Sequence, residues 1–494
     1  MTRYTRLFQR LVAVQLVRVL VGVLVGATSA RAQQTVPVRE LSAVDAKTST
    51  YFGNIFGIRQ LSGGRVLVND GIRRQLVVLD DKLSNPTVVV DSVAVGGQGY
   101  GPRAQPLIPY LADSSLFVDG TALSLLVIDP TGKIAHVMSA PRPNDLRLLA
   151  GSASGVDVRG NLIYRGNLPS GPSGGRGFAM GGTPGQASGA VPGQALPTTP
   201  VPDSVPLLRA NFDTRAVDTV GRLNVQSGTR RTSMLDASGK MQSKVIINPI
   251  NTVDEWAVLS DGTIALVRGH DYHIDVIQPD GKMYSAPKLP FDWKRLTDQD
   301  KQALIDSARA VQEKAVADAK AGASTPAAAA QAEREANVSL LFAGSGGGGF
   351  GGGGGDHGVA GGGDHAVGGG GDHGVGGRDG GTGGWGGFGA VTVEYVPLKE
   401  IADYYPAIRI GAAKADLDGN VWIVPTTSAQ SKAGELVYDV VNNRGVLTHR
   451  VRLPVGRSIA GFGHSGVLYL MFKDGTKGWS LERTTVLVTK SAAK

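Results

Sequence analysis

The stretch Asp416-Leu417-Asp418-Gly419-Asn420-Val421-Trp422-Ile423-Val424 combines a tight turn with an apolar run that follows it directly. Gly419 and Asn420 tolerate the positive φ that a short hairpin turn requires. The β-branched and aromatic residues after them suit a pleated, half-buried strand. This stretch therefore predicts a β-hairpin with one buried face.

Variants of this turn-and-strand unit recur along the chain. Residues 76–80 and 125–129 both form an apolar strand that enters a turn, and residues 274–282 repeat the pattern. The units return about once per 40 to 50 residues, which is a spacing typical of propeller blades. Six units can be delimited, which lie in residues 52–91, 107–139, 148–223, 255–278, 416–453 and 458–494.

The sixth unit lacks a fourth strand, and residues 36–44 form a spare one near the other end of the chain. A blade built from both ends closes the ring and leaves no long unpaired edge. The predicted fold is therefore an all-β, six-bladed β-propeller over residues 33–494, with a short helical insertion and disordered Gly-rich loops.

Three insertions interrupt the predicted blades. Residues 169–206 are rich in Gly, Pro, Ser and Thr, and we expect a disordered loop because such a segment buries little apolar surface. Residues 292–343 contain the N-cap candidate Thr297 and an Ala-rich run, which predict a helix. Residues 344–389 form a Gly-rich, low-complexity loop, because Gly has much backbone entropy to lose and no side chain to pack.

Residues 1–32 have the pattern of a secretory signal peptide. Arg3, Arg6 and Arg10 precede an apolar run over residues 11–25, and Ala30-Arg31-Ala32 matches a cleavage site. We expect the protein to be exported to the periplasm or beyond, with no stable membrane span after cleavage. An uncleaved N-terminal anchor is the alternative.

Composition excludes several classes of function. The chain has no Cys, which removes disulfides, thiolate metal sites and cysteine nucleophiles. The formal charge of +8 falls to +3 without residues 1–32, because that segment holds five Arg and no acid. This balance disfavours a nucleic-acid-binding protein, which would show a clustered basic face. We expect a monomer whose partner is an unidentified protein or a small-molecule ligand.

Two groups of His residues invite a functional interpretation. His270 and His273 flank a turn and suggest metal ligands or an acid–base pair, but a polar hairpin tip is the favoured interpretation. Three Asp-His pairs in the Gly tract suit weak binding of Zn²⁺, Ni²⁺ or Cu²⁺, and low-complexity sequence without a site is favoured there. These pairs are Asp356-His357, Asp364-His365 and Asp372-His373.

Several acids lie at predicted strand ends, where they either ring a cation in a central channel or bond to turn amides, the commoner role. They are Asp45, Asp70, Asp80, Asp119, Asp129 and Asp416. Residues 96–101 are Gly-rich but lack the Lys-Ser/Thr and the βαβ setting of a nucleotide loop. The sequence therefore assigns no catalytic, cofactor-binding or metal-binding residue and implies no cofactor.

The six units and the pattern Asp416-x-Asp418-Gly419-Asn420-x-Trp422 resemble secreted bacterial six-bladed β-propellers of the NHL and TolB-like group. Weaker matches lie at residues 260–266 and 159–164. The resemblance covers residues 36–490 without the insertions, and it implies a fold but no active site. The unit is also similar to an Asp-box, but Ala415 replaces the expected hydroxyl residue, so a sialidase is disfavoured.

The sequence leaves three functions open. The favoured one is an exported scaffold that binds a ligand or a protein without catalysis. The alternative is a metal-dependent propeller hydrolase, lactonase or lyase that uses the channel mouth, which requires at least three converging polar side chains. The third is metal capture by the Gly and His tract.

Overall fold

The computed structural model describes residues 36–92, 99–101, 104–149, 153–166, 204–224, 228–235, 241–321, 388–427, 431–432 and 434–487, and the single residues 325, 328, 329 and 333. Residues 39–494 form one unit, distinct from residues 1–38. The predicted signal peptide, and most of the predicted loops 169–206 and 344–389, lie outside the described residues.

The first half of the chain supplies two short strands, three antiparallel sheets that we number blades 1 to 3, and two further strands. The short strands are β1 (Val38–Arg39) and β2 (Ala46–Lys47). Blade 1 contains β3 (Ile55–Gln60), β4 (Val66–Asp70), β5 (Gln75–Leu79) and β6 (Thr87–Val90). Blade 2 contains β7 (Leu107–Pro109), β8 (Ser115–Asp119), β9 (Ser124–Ile128) and β10 (Ile134–Ser139). Blade 3 contains β11 (Ser154–Val156), β12 (Leu162–Arg165), β13 (Ser204–Ala210) and β14 (Val217–Asn224), and β15 (Thr229–Leu235) and β16 (Met241–Ile247) follow it.

The second half supplies blades 4 to 6 and one long helix. Blade 4 contains β17 (Glu255–Val258), β18 (Ile264–Arg268), β19 (His273–Ile277) and β20 (Met283–Ser285). Helix α1 (Asp298–Ala321) and β21 (Phe388–Tyr395) come next. Blade 5 contains β22 (Ala413–Ala415), β23 (Asn420–Ile423), β24 (Leu436–Asn442) and β25 (Leu447–Leu453), with β1 on its outer edge. Blade 6 contains β26 (Ser458–Phe462), β27 (Val467–Asp474) and β28 (Gly478–Thr485), with β2 on its outer edge.

The blades stand around a common axis. Their first strands lie side by side in succession, from β26 through β3, β7, β11 and β17 to β22. Each neighbouring pair of blades, including blades 6 and 1, shares a cluster of buried apolar side chains. Both faces of a blade are therefore apolar, because alternate residues of a strand point to opposite faces. These six clusters close the ring and confirm the predicted six-bladed β-propeller.

The closing strand comes from the N-terminal part of the chain, as predicted, but it uses only part of the predicted residues 36–44 and continues beyond them into β2. β2 pairs with β28, with Ala46 opposite Arg483, whereas β1 pairs with β25 in blade 5. Leu41 forms a single bridge with Val486. The register is held by buried Thr48, whose hydroxyl accepts a hydrogen bond from the Leu481 N–H at 3.0 Å and bonds to Ser480 Oγ at 3.0 Å. The predicted strand at 36–44 is therefore divided between two blades.

Replacing Thr48 with Val is expected to lower the free energy of unfolding by about 1 to 3 kcal/mol, because the shape is kept while the buried Leu481 N–H loses its partner. Urea denaturation measures this difference. Thr87→Val is the control, because Thr87 is exposed on the outer strand β6 and its replacement should change stability by less than about 0.5 kcal/mol. Equal effects of the two substitutions would show that Thr48 does not hold the closing strand.

Helix α1 confirms the predicted helical insertion. Thr297 caps it as expected, because the Asp300 N–H donates to Thr297 Oγ1 at 3.2 Å and the Thr297 N–H donates to Asp300 Oδ2 at 2.9 Å. The helix packs Ile305 into a small apolar cluster with Leu296 and Ile401. Among the described residues, no helix is long and apolar enough to cross a bilayer.

A small mixed sheet was not predicted. β15 pairs antiparallel with β16, and β16 pairs parallel with β21, which begins 141 residues after β16 ends. Local sequence patterns do not reveal this pairing, because the two partners are so far apart along the chain. Two predicted boundaries also change, since residues 204–206 belong to β13 and residues 388–389 belong to β21.

All the long connections leave the propeller at the same end. The chain runs from β12 to β13 through residues 166–203, from β14 to β17 through residues 225–254, and from β20 to β22 through residues 286–412. The first strands of all blades run in the same direction, and the strands within a blade are antiparallel. The links between second and third strands therefore lie at the same end of the propeller as the links between blades. We name this end the insertion face. The opposite end carries only short turns, and we name it the turn face.

Candidate functional site

A buried carboxyl group lies at the insertion-face end of the channel. Glu255 is the first residue of β17, the innermost strand of blade 4, and is 8% exposed. Burial raises the pKa of Glu255 to about 7, although the nearby backbone N–H of Gly411 and the cations Arg165 and Lys414 favour the charged form. Glu255 can therefore gain or lose a proton near neutral pH.

Two cations stand close to this carboxyl group. Arg165 is the last residue of β12, and Lys414 is the middle residue of β22. Burial lowers the pKa of both side chains, and the charge of Glu255 opposes that effect. Lys414 is nevertheless exposed to solvent. A side chain that is enclosed by protein yet reached by water is expected inside a propeller channel.

The start of β17 is held rigidly by the neighbouring Asp254. Its carboxylate accepts hydrogen bonds from the Asn224 N–H at 2.9 Å, from the Gly269 N–H at 3.1 Å and from Arg268 Nη1 at 2.6 Å. Gly269 is required there, because a Cβ atom would lie 2.0 Å from the Val253 carbonyl oxygen. Arg268 also bonds Asp275 at 2.6 Å. These contacts fix where Glu255 enters the channel.

Arg165, Glu255 and Lys414 come from three successive blades, and we name them the channel-mouth cluster. Each lies next to the root of a long connection on the insertion face: Arg165 before residues 166–203, Glu255 after residues 225–254, and Lys414 after residues 286–412. The arrangement gives the channel two positive groups around one carboxyl group of adjustable charge. It can bind an anion, or transfer a proton to a bound molecule.

The sequence analysis did not single out these three residues. Their signal is a charged residue within an otherwise apolar or small-residue strand, as in Glu255-Trp256-Ala257-Val258 and Ala413-Lys414-Ala415. A charge at such a position costs folding free energy unless it is paired or hydrogen-bonded. A charged residue of this kind beside a long insertion is therefore a candidate for a functional site.

The residues around the turn at 270–273 point to different partners. His270 is exposed at the tip, and buried Tyr272 donates to Asp439 Oδ2 at 2.7 Å in the seam between blades 4 and 5. His273 lies between two carboxylates, with Nδ1 2.5 Å from Asp271 Oδ1 and Nε2 3.1 Å from Asp275 Oδ1.

In the described part of the chain, no group of three or more His, Asp or Glu is arranged to hold a metal ion.

The strand-end acids are engaged in local contacts. Asp45 pairs with Arg483 at 2.8 Å, and the other five accept hydrogen bonds from backbone amides of adjacent turns. Those five are Asp70, Asp80, Asp119, Asp129 and Asp416. The three Asp-His pairs of the Gly tract, and residues 96–98, lie outside the described residues.

No protein-family model matches the sequence, and no curated protein matches it either. Distant structural similarity extends to a catalytically inactive virginiamycin B lyase from Staphylococcus aureus with quinupristin, at 8% identity and a TM-score of 0.30, over 92% of this chain and 97% of that chain. A DUF4221 family member from Bacteroides vulgatus is 7% identical, with a TM-score of 0.35 over 91% and 98% of the two chains. A luciferin-regenerating enzyme is 9% identical, with a TM-score of 0.28 over 92% and 98%. The narrower NHL or TolB-like assignment stays a prediction.

Proposed function

We propose that this protein is an exported binding propeller that recognises a small molecule bearing an anionic group at the channel mouth. The observation that carries the proposal is the placement of Arg165 and Lys414 on either side of Glu255, a carboxyl group with a pKa of about 7. Export is supported by the signal-like composition of residues 1–32.

The charge balance of the channel-mouth cluster favours an anion. While Glu255 is protonated, Arg165 and Lys414 leave the cluster positively charged, because the nearby Asp254 is paired with Arg268 at 2.6 Å. An enclosed channel strengthens such attraction, since its effective dielectric constant is lower than that of bulk water.

Affinity for an anion should therefore depend on pH. As the pH rises through about 7, Glu255 loses its proton and its negative charge competes with the ligand for Arg165 and Lys414. We expect an anionic ligand to bind more tightly below this pH than above it, and to take up a proton when it binds above it. Isothermal titration calorimetry in buffers of different ionisation enthalpy measures both effects.

The ligand is sought by a thermal-shift screen of anionic metabolites, each beside a neutral analogue, on the exported protein. For a ligand found this way, Lys414→Met and Arg165→Gln should each weaken binding at least tenfold, because each removes a charged contact worth about 1.5 to 3 kcal/mol. Lys282→Met is the control, because Lys282 pairs with Asp280 at 3.0 Å on the turn face and should not affect affinity. Affinities unchanged by both cluster substitutions would refute the proposal.

Acid–base catalysis at the same cluster is the second candidate. A buried carboxyl group with a pKa of about 7, beside a lysine whose pKa is lowered, resembles the groups that enzymes use for proton transfer. If the protein is a lyase or a hydrolase of this kind, Glu255→Gln should keep ligand binding and abolish product formation. A pure binding protein gives no product with either form of the protein.

A further inference from the structure

A second cleft lies between blades 3 and 4 on the turn face, at the opposite end of the propeller from the channel-mouth cluster. Its volume is about 210 Å³. The walls come from β13 and β14 and from the turns that join β11 to β12, β17 to β18 and β19 to β20. Nothing in the proposed function uses this cleft.

Two arginine residues line the cleft. Arg159 lies in the exposed turn between β11 and β12, and Arg209 is half-buried on β13. The side chains of both arginines lack an ion-pair partner among the described residues, although Asp218 faces Arg209 across the β13–β14 ladder. Two arginines at one cleft without paired acids repel each other, and an anion between them relieves that repulsion.

The one acid of the cleft is already engaged. Asp157 Oδ1 accepts hydrogen bonds from the Arg159 N–H at 3.0 Å and from the Asn161 N–H at 2.9 Å. Asp157 Oδ2 accepts from Asn161 Nδ2 at 2.9 Å. Because these bonds hold the carboxylate against its own turn, its oxygens are directed at the turn rather than at the arginine side chains.

The rest of the cleft is preformed and combines apolar with polar side chains. Val158, Val220 and Pro279 supply accessible aliphatic surface, whereas Ile163, Ile264 and Ile277 are buried in the core behind it. Gly262 adopts a φ of +82° in the turn beside them, and a Cβ atom there would lie 3.2 Å from a Val158 methyl group. A ligand therefore meets walls set by tight turns, and it does not need to order them when it binds.

We propose that this cleft binds a small organic carboxylate, whose carboxylate group lies between Arg159 and Arg209 and whose apolar body lies against the aliphatic wall. A guanidinium group presents paired N–H donors that match the two oxygens of a carboxylate. A cavity of about 150 Å³ is large enough to hold benzene, so the cleft accommodates a ring or a branched chain of similar size. A bare inorganic anion would leave the aliphatic wall in contact with water.

The test measures binding to the full chain by isothermal titration calorimetry, with benzoate as the probe, benzamide as its neutral isostere and inorganic phosphate as an anion without an apolar body. We expect benzoate to bind at least tenfold more tightly than either comparison compound. Arg159→Gln and Arg209→Gln should each weaken benzoate binding at least tenfold, with the melting temperature unchanged. Arg222→Gln is the matched control, because Arg222 bonds Ser204 at the other end of the same blade, and it should leave the affinity within twofold.

Three results would overturn the inference: no benzoate binding, equal affinity for benzoate and benzamide, or phosphate binding as tight as that of benzoate. The variant Lys414→Met separates the two sites. The inference requires that this substitution leave unchanged the benzoate binding that Arg159→Gln and Arg209→Gln weaken. If Lys414→Met abolishes benzoate binding and Arg209→Gln does not, the carboxylate binds in the channel, which refutes the cleft site and supports the proposed function.

Discussion

Replacing Asp416 with Ala is expected to lower the free energy of unfolding by about 3 to 5 kcal/mol. Asp416 is 7% exposed in the turn between β22 and β23. Its Oδ1 accepts from the Asp418 N–H at 2.9 Å and the Asn420 N–H at 2.7 Å, and its Oδ2 accepts from Asn420 Nδ2 and Trp422 Nε1, each at 2.8 Å. Ala leaves all four donors without this partner, and the buried indole N–H of Trp422 bears most of the cost.

Urea denaturation followed by tryptophan fluorescence measures this loss. Asp280→Ala is the control, because Asp280 is the third residue of a similar Gly-containing turn in blade 4 but is exposed, and its contacts are to Lys282, with the N–H at 3.0 Å and the side-chain Nζ at 3.0 Å. We expect the control to cost less than about 1 kcal/mol. Similar losses for both variants would show that Asp416 is one turn residue among several, and not the anchor of the strand that follows.

This turn also shows why much of the fold is readable from the sequence. Gly419 adopts a φ of +85°, as the Asp-Gly-Asn pattern predicts, and the Asp416 N–H donates to the Asn420 carbonyl across the turn at 2.9 Å. The residues that favour the turn and the hydrogen bond that closes it lie within the same five-residue segment. Because each blade is a meander of such hairpins, counting turns and apolar strands is enough to predict six blades.

Features that depend on distant partners were not predictable in this way. Contacts between remote segments set the parallel pairing of β16 with β21 and the division of residues 36–44 between blades 5 and 6. The channel-mouth cluster has the same origin, since Arg165, Glu255 and Lys414 meet only when three blades assemble. In the sequence, each of the three is a single charged residue in a strand. Their pKa values shift only because folding buries them near one another.

The difference in the free energy of unfolding between the variant Glu255→Gln and the native protein is expected to depend on pH. It should shift by about 3 kcal/mol in favour of the variant as the pH rises from below 4.5 to above 7. Between these values the folded state holds a proton on Glu255 that the unfolded chain releases, so the folded state binds more protons. The free energy of unfolding of the native protein therefore falls as the pH rises through this window. A pKa raised from 4.5 to about 7 corresponds to this change, at about 1.4 kcal/mol for each pH unit. Gln carries no titrating proton and does not suffer this loss.

Urea denaturation of both proteins below pH 4.5 and above pH 7 tests this expectation, because the difference between them cancels every other titrating group. Trp256→Phe is the control at the adjacent position, since it removes apolar contacts without a charge and should cost the same at both pH values. A difference between Glu255→Gln and the native protein that stays constant with pH would mean that Glu255 is already ionised in the folded state near neutrality. The channel mouth would then hold a fixed carboxylate, so neither the pH-dependent binding nor the proton transfer proposed for it could occur there.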